Sequence, residues 1–141
     1  MIEKYFPNLR ISGYVITSPA TAEYNCIAWA AGDTERVWWP DNNNVGFWPL
    51  GIERKETLDA FVKAYETLDF TVCQNSNYEV DFEKIAIYVD DGEKPTHAAR
   101  QLNSGHWTSK LGKLEDIEHN TLKGLENSAY GMVAVFMKRL K

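Results

Sequence analysis

The sequence predicts an α+β domain, and three observations carry that expectation. One amphipathic helix period runs through Leu58, Phe61, Val62, Tyr65 and Leu68. From Phe70 onward, short runs alternate apolar and polar residues between Asn, Asp and Gly turns. No regular strand–helix alternation points to a doubly wound parallel sheet. The 141 residues fit a single domain spanning positions 1–141. A chain of this size buries about two-thirds of its unfolded surface, enough to fold without a metal or disulfide staple.

Residues 1–55 show little periodicity and many aromatics. Within them Asn25 is a good N-cap, because its side-chain oxygen can accept from an orphan backbone N–H. Cys26–Ala31 is then helix-compatible and Gly32 is its stop. A start at Ser18 or Thr21 would put Cys26 one turn deeper. Pro and Asn density makes 40–51 a loop. Thr57 caps the amphipathic helix, whose other face carries Lys63 and Glu66. Phe70–Cys73 is a short strand, and Lys84–Asp90 alternates with Ile85, Ile87 and Val89 on one side. Asp91-Gly92 turns the chain into a strand at Thr96–Leu102, and Asn103-Ser104-Gly105 turns it again into His106–Leu111. Glu115–Leu125 reads as a helix, with Glu115, Asp116 and Glu118 complementing its dipole. Met132–Leu140 is a final strand.

Composition excludes several function classes. Fifteen Lys and Arg against twenty Asp and Glu leave a net charge of −5. The basic footprint of a nucleic-acid or anionic-membrane binder is missing. Apolar runs such as Met132–Met137 fall far short of the ~20 residues of a membrane span. The first residues lack the basic-then-apolar pattern of a secretory signal, so the expected compartment is cytoplasmic. The two cysteines, Cys26 and Cys73, are then expected as free thiols. Cys26, Cys73, His97, His106 and His119 lack the short spacings of common metal sites, and no glycine-rich phosphate loop is present. No cofactor is expected.

Cys26 is the candidate nucleophile. In the first turn of a helix, backbone N–H groups stabilise a thiolate and can also hold a developing oxyanion. The plainer reading makes it a small buried hydrophobe. His97, opening a strand about seventy residues later, is the best base; otherwise it is a strand-edge residue with one backbone bond. A three-residue loop at 103–105 pairs Ala99 with Ser109, so that Ser109, Trp107 and Gln101 share a face with His97. Ser109 is then the candidate orienter and Gln101 the next. A two-residue loop would present Thr108 and Lys110 instead. Trp29, Trp38, Trp39 and Trp48 could line a substrate cleft or anchor the long loop to the core. His106, beside its turn, reads as a surface residue, and His119 has no role beyond a helix-surface contact or one that supports a site residue from behind. A Cys26–Cys73 redox pair is a further alternative.

Tyr24-Asn25-Cys26-Ile27-Ala28-Trp29-Ala30 and Trp38-Trp39-Pro40 resemble the opening of a bacterial domain family of unknown function. So do Phe82-Glu83-Lys84-Ile85-Ala86, Thr96 to Gln101, Trp107 to Gly112 and Asp116-Ile117-Glu118-His119 further along. The order of a Cys at a helix start, a His on a strand and a polar residue on the next strand is similar to papain-like cysteine hydrolases. The resemblance implies a papain-like α+β fold, with an N-terminal helix carrying Cys26 packed on a small antiparallel sheet. It implies Cys26 as nucleophile, His97 as base and Ser109 as third member, acting on a peptide or amide substrate. Asn25, Trp29, Gln101 and Trp107 would line the substrate site. Ala20 stands where papain carries the glutamine that helps hold the oxyanion, and no papain-type asparagine follows His97. The competing expectation is a binding or interaction module that turns nothing over.

Overall fold

The computed structural model describes residues 2–141. Seven strands, β1 (Tyr14–Ser18), β2 (Thr71–Cys73), β3 (Phe82–Val89), β4 (Pro95–Gln101), β5 (Trp107–Lys110), β6 (Asp116–His119) and β7 (Met132–Leu140), build one sheet. Its order is β1-β6-β5-β4-β3-β7-β2 and every pairing is antiparallel. The helices are short: α1 (Ile2–Tyr5), α2 (Asn8–Ser12), α3 (Cys26–Ala31), α4 (Leu58–Glu66) and a 3-10 turn at Leu122–Leu125.

This corrects the expected fold class. The chain is mostly a wide antiparallel sheet, not a papain-like α+β domain with an N-terminal helix packed on a small sheet. Two segments account for much of the difference. Tyr14–Ser18, expected to be irregular, and the Asp116–His119 part of the expected helix pair with each other, from Tyr14↔His119 to Ser18↔Asp116. The deciding partners are remote in sequence. Asp116 is buried because Ser18 Oγ and Tyr24 OH, both at 2.5 Å, donate to its Oδ2. Such contacts override the local dipole argument for a helix. The motif resemblance concerns short runs of residues, and those do not dictate architecture.

The local signals for α3 and α4 are realised. Asn25 caps α3 by accepting from Ala28 N–H at 3.1 Å, and Gly32 ends it at φ +85°, a left-handed conformation that a side chain would strain. Thr57 caps α4 through Ala60 N–H at 3.2 Å. The stripe of α4 buries Phe61 and Tyr65 completely, each contributing about 1.5–3 kcal/mol. Tyr65 OH donates to Ile27 O at 2.8 Å and ties α4 to α3.

Strand alternation sends side chains to two separate cores. One face carries Ile85, Ile87 and Ala98 against α3, α4 and the tryptophan loop. The other carries Ala86, Tyr88, Ala99, Trp107, Leu111 and Ile117 against α1, α2 and Leu125. Between β4 and β5 the ladder holds only Gln101↔Trp107 and Arg100↔Thr108, the register a three-residue loop predicts. Toward Pro95 and Lys110 the two strands part. The sheet is locally open there, and Cys26 lies at the opening.

Candidate functional site

The Leu102 N–H bonds His106 O at 2.8 Å, which shows that even-numbered backbone groups of this segment face β5. Thr96 O and Ala98 N–H point the same way, into the gap. Cys26 Sγ lies against this edge, donating to Thr96 O at 3.9 Å. The nearby backbone N–H groups of Ala98, Ile27 and Cys26 itself act as donors that favour the thiolate. The thiol therefore holds the β4 backbone at the residue before His97. Burial pushes its pKa up to about 11, against the opposing pull of those donors and of the Lys110 charge.

The His97 side chain leaves β4 on the face opposite Ala98, beside Tyr88 and Tyr130. Its Nε2 lies 2.9 Å from Ser109 Oγ, and Ser109 Oγ lies 2.8 Å from His119 Nε2. His119 Nδ1 in turn is 2.9 Å from Thr121 O. Three neighbouring strands thus contribute one residue each to a buried polar chain. Burial holds His97 well below the ordinary imidazole range, helped by His119, and lowers His119 to about 4. His97 Nδ1 has no hydrogen-bond partner among the described residues. It makes no hydrogen bond with Cys26.

Tyr130 covers the imidazole, its ring stacked on His97 at 4.3 Å with an interplanar angle of 13°. The turn that holds it is tightly built. Tyr130 N–H donates to Asn127 Oδ1 at 2.6 Å and Gly131 N–H to Asn127 O at 2.8 Å. Gly131, at φ +73°, passes so close to Val89 O that no side chain fits. Tyr130 also lines a largely apolar cleft of about 500 Å3 with Tyr5, Phe6, Leu111 and Leu114.

The other expected site residues fall into two places. Asn25 and Trp29 lie on the Cys26 face and serve the scaffold there. Asn25 Oδ1 also accepts from Trp38 N–H at 3.0 Å, while its Nδ2 donates to Trp38 O at 2.8 Å. Trp29 Nε1 donates to Thr108 Oγ1 at 3.1 Å, and its ring stacks on Tyr24 and meets the Arg100 guanidinium. Gln101 and Trp107 lie on the His97 face and share a second cleft of about 390 Å3 with Tyr78, Thr121 and Lys123. Gln101 Nε2 donates to Ser76 O at 2.9 Å, and its buried Oε1 is unpartnered among the described residues.

Sequence reasoning missed Tyr130, left His119 between a helix surface and a supporting contact, and presented Lys110 only under a two-residue loop. Placing His119 needed 116–119 read as a strand, with Ile117 and His119 on one side. Lys110 is buried on the Cys26 face, over the Tyr24 ring, with its ammonium donating to Gly112 O and Leu114 O. No cluster of metal-ligating residues occurs among the described residues. No helix there is long and apolar enough to cross a membrane.

Comparison with known families decides the affiliation. Residues 15–138 match the family described as Domain of unknown function (DUF7689). The chain belongs to that family. The match covers five of the seven strands completely, β1 without its first residue and β7 without its last two. It includes Cys26, His97, Ser109 and His119, but carries no papain-like relationship and assigns none of these residues a role. No curated protein and no solved structure matches the chain.

Proposed function

We propose that this DUF7689 domain is a thiol-dependent acyl hydrolase of the amidase or peptidase class, with Cys26 as nucleophile and His97 as base. The observation that carries the reading is the Nδ1 of His97, without a partner among the described residues, on the residue that follows the carbonyl taking the Cys26 thiol. A buried acceptor without a partner costs about 1–3 kcal/mol, and proton transfer gives it a use. The reading does not depend on a papain-like fold, because nucleophile–base pairs recur on unrelated architectures.

In the resting state both groups are neutral. As the strands part and substrate enters, the Cys26 thiol gives its proton to His97 Nδ1 and the sulfur attacks the carbonyl carbon, forming a C–S bond. The N–H groups of Cys26, Ile27 and Ala98 supply the positive ends that receive the oxyanion. Collapse breaks the C–N bond, and the amine leaves with the proton from His97. Water then gives a proton to His97 and its oxygen to the acyl carbon; the C–S bond breaks and the thiol is restored.

One observation favours the binding-module reading instead. Cys26 is 7% exposed and His97 0%, and neither lines any of the clefts described above. The two readings separate with p-nitrophenyl acetate on a Cys73→Ser background, which removes the other thiol. A hydrolase acquires one acetyl group on Cys26, read by intact mass, and His97→Ala slows that step about a hundredfold or more. A Cys26 acetylated no faster in the native protein than the thiol of N-acetylcysteine, or one indifferent to His97→Ala, refutes the hydrolase and leaves the binding module.

A further inference from the structure

We infer that His119 is a positioning residue that determines which nitrogen of His97 is free to take a proton. The argument is one of hydrogen-bond polarity along the buried chain. Thr121 O can only accept, so His119 Nδ1, 2.9 Å away, carries a hydrogen. His119 is fully buried and neutral, which leaves its Nε2 bare. That nitrogen accepts the Ser109 hydroxyl hydrogen at 2.8 Å. Having given its only hydrogen to His119, Ser109 Oγ must accept from His97, so His97 Nε2 carries the hydrogen across the 2.9 Å contact. A neutral His97 then has Nδ1 bare, the same atom that has no partner among the described residues.

The opposite polarity carries two penalties. If Ser109 donated to His97, its oxygen would accept from His119 Nε2–H. With Nδ1 already protonated toward Thr121, His119 would be a cation in a site without solvent. His97 would in addition bury an Nδ1–H with nothing to receive it. The Thr121 carbonyl thus sets a direction that passes through His119 and Ser109 and ends on the base. Ser109 alone could not set it, because a hydroxyl serves either way round.

The catalytic meaning of this assignment rests on the thiol-hydrolase reading; the tautomer itself does not. Nitrogen-15 NMR of the imidazoles at pH 7, with His106 and His119 identified by substitution, reads it directly. The expected result is the Nε2–H form of His97. In His119→Phe, Ser109 loses its acceptor, turns its hydrogen to His97 Nε2, and the ring changes to the Nδ1–H form. His119→Gln, whose amide oxygen can accept from Ser109, keeps the Nε2–H form.

In the acetylation assay, His119→Phe slows Cys26 about tenfold or more, while His119→Gln stays within about threefold of the parent. An Nδ1–H or charged His97 in the parent protein overturns the inference, whether or not the variants fold. So does a folded His119→Phe whose His97 tautomer is unchanged. The stated tautomer together with a Cys26 that p-nitrophenyl acetate does not modify overturns the hydrolase and leaves the assignment of the imidazole standing.

Discussion

His119 makes folding stability depend on mild acid, and the size of the effect follows from its surroundings. Burial lowers its folded-state pKa from 6.5 to about 4. Between those values the unfolded chain binds a proton that the folded chain does not, so stability rises with pH across the window and is lost as pH falls. Linkage gives a loss of about 2 kcal/mol by pH 5 and about 3 kcal/mol by pH 4, from this one residue. His97, lowered in the same direction, adds to it. The assay is urea unfolding at pH 7, 6 and 5 for the parent protein and His119→Phe. The variant starts less stable, because Ser109 loses an acceptor, but its loss between pH 7 and pH 5 is smaller by about 2 kcal/mol. Carboxylate titration is common to both proteins and cancels in the comparison. Two slopes agreeing within about 0.5 kcal/mol would show that His119 is not held neutral by burial.

Two further outcomes test how the site is held. Asn25→Ala removes the cap of α3 and both side-chain bonds to Trp38, and lowers stability by about 2 kcal/mol in chemical denaturation; a change below about 0.5 kcal/mol would deny that tether. Tyr130→Ala uncovers one face of His97 to water, so its imidazole titrates closer to the ordinary range by NMR; an unmoved titration would mean that Tyr130 does not shield it.

Much of the centre of the fold is legible in local signals. The Asn25 and Thr57 caps, the α4 stripe, the alternation of β3 and the turn that registers β4 with β5 each depend on residues a few positions apart. The flank is not legible in this way. Nothing near Asp116 announces that Ser18 and Tyr24, more than ninety positions away, will satisfy its carboxylate in a strand. The papain-like expectation failed at this level, since it took a set of motifs as a guide to architecture.

The site divides along the same line. Ser109 beside His97 follows from the β4/β5 register, whereas His119 comes within reach only through a third strand whose own pairing is remote. The position of the Cys26 sulfur, in a gap between two strands, is a property of the ladder's end and has no signature in residue spacing.

The short β4/β5 ladder makes the sheet two blocks, β1-β6-β5 and β4-β3-β7-β2, joined by two residue pairs, the Leu102–His106 bond and the His97–Ser109 contact, with the Cys26 sulfur on Thr96 O beyond the last pair. Any chemistry that enlarges the thiol, whether acylation, alkylation or oxidation, pushes on that seam. The Ala98 amide lies at this seam, two residues beyond the Thr96 carbonyl that takes the thiol. Its hydrogen exchange is therefore a native strain gauge for the joint, readable without a substrate.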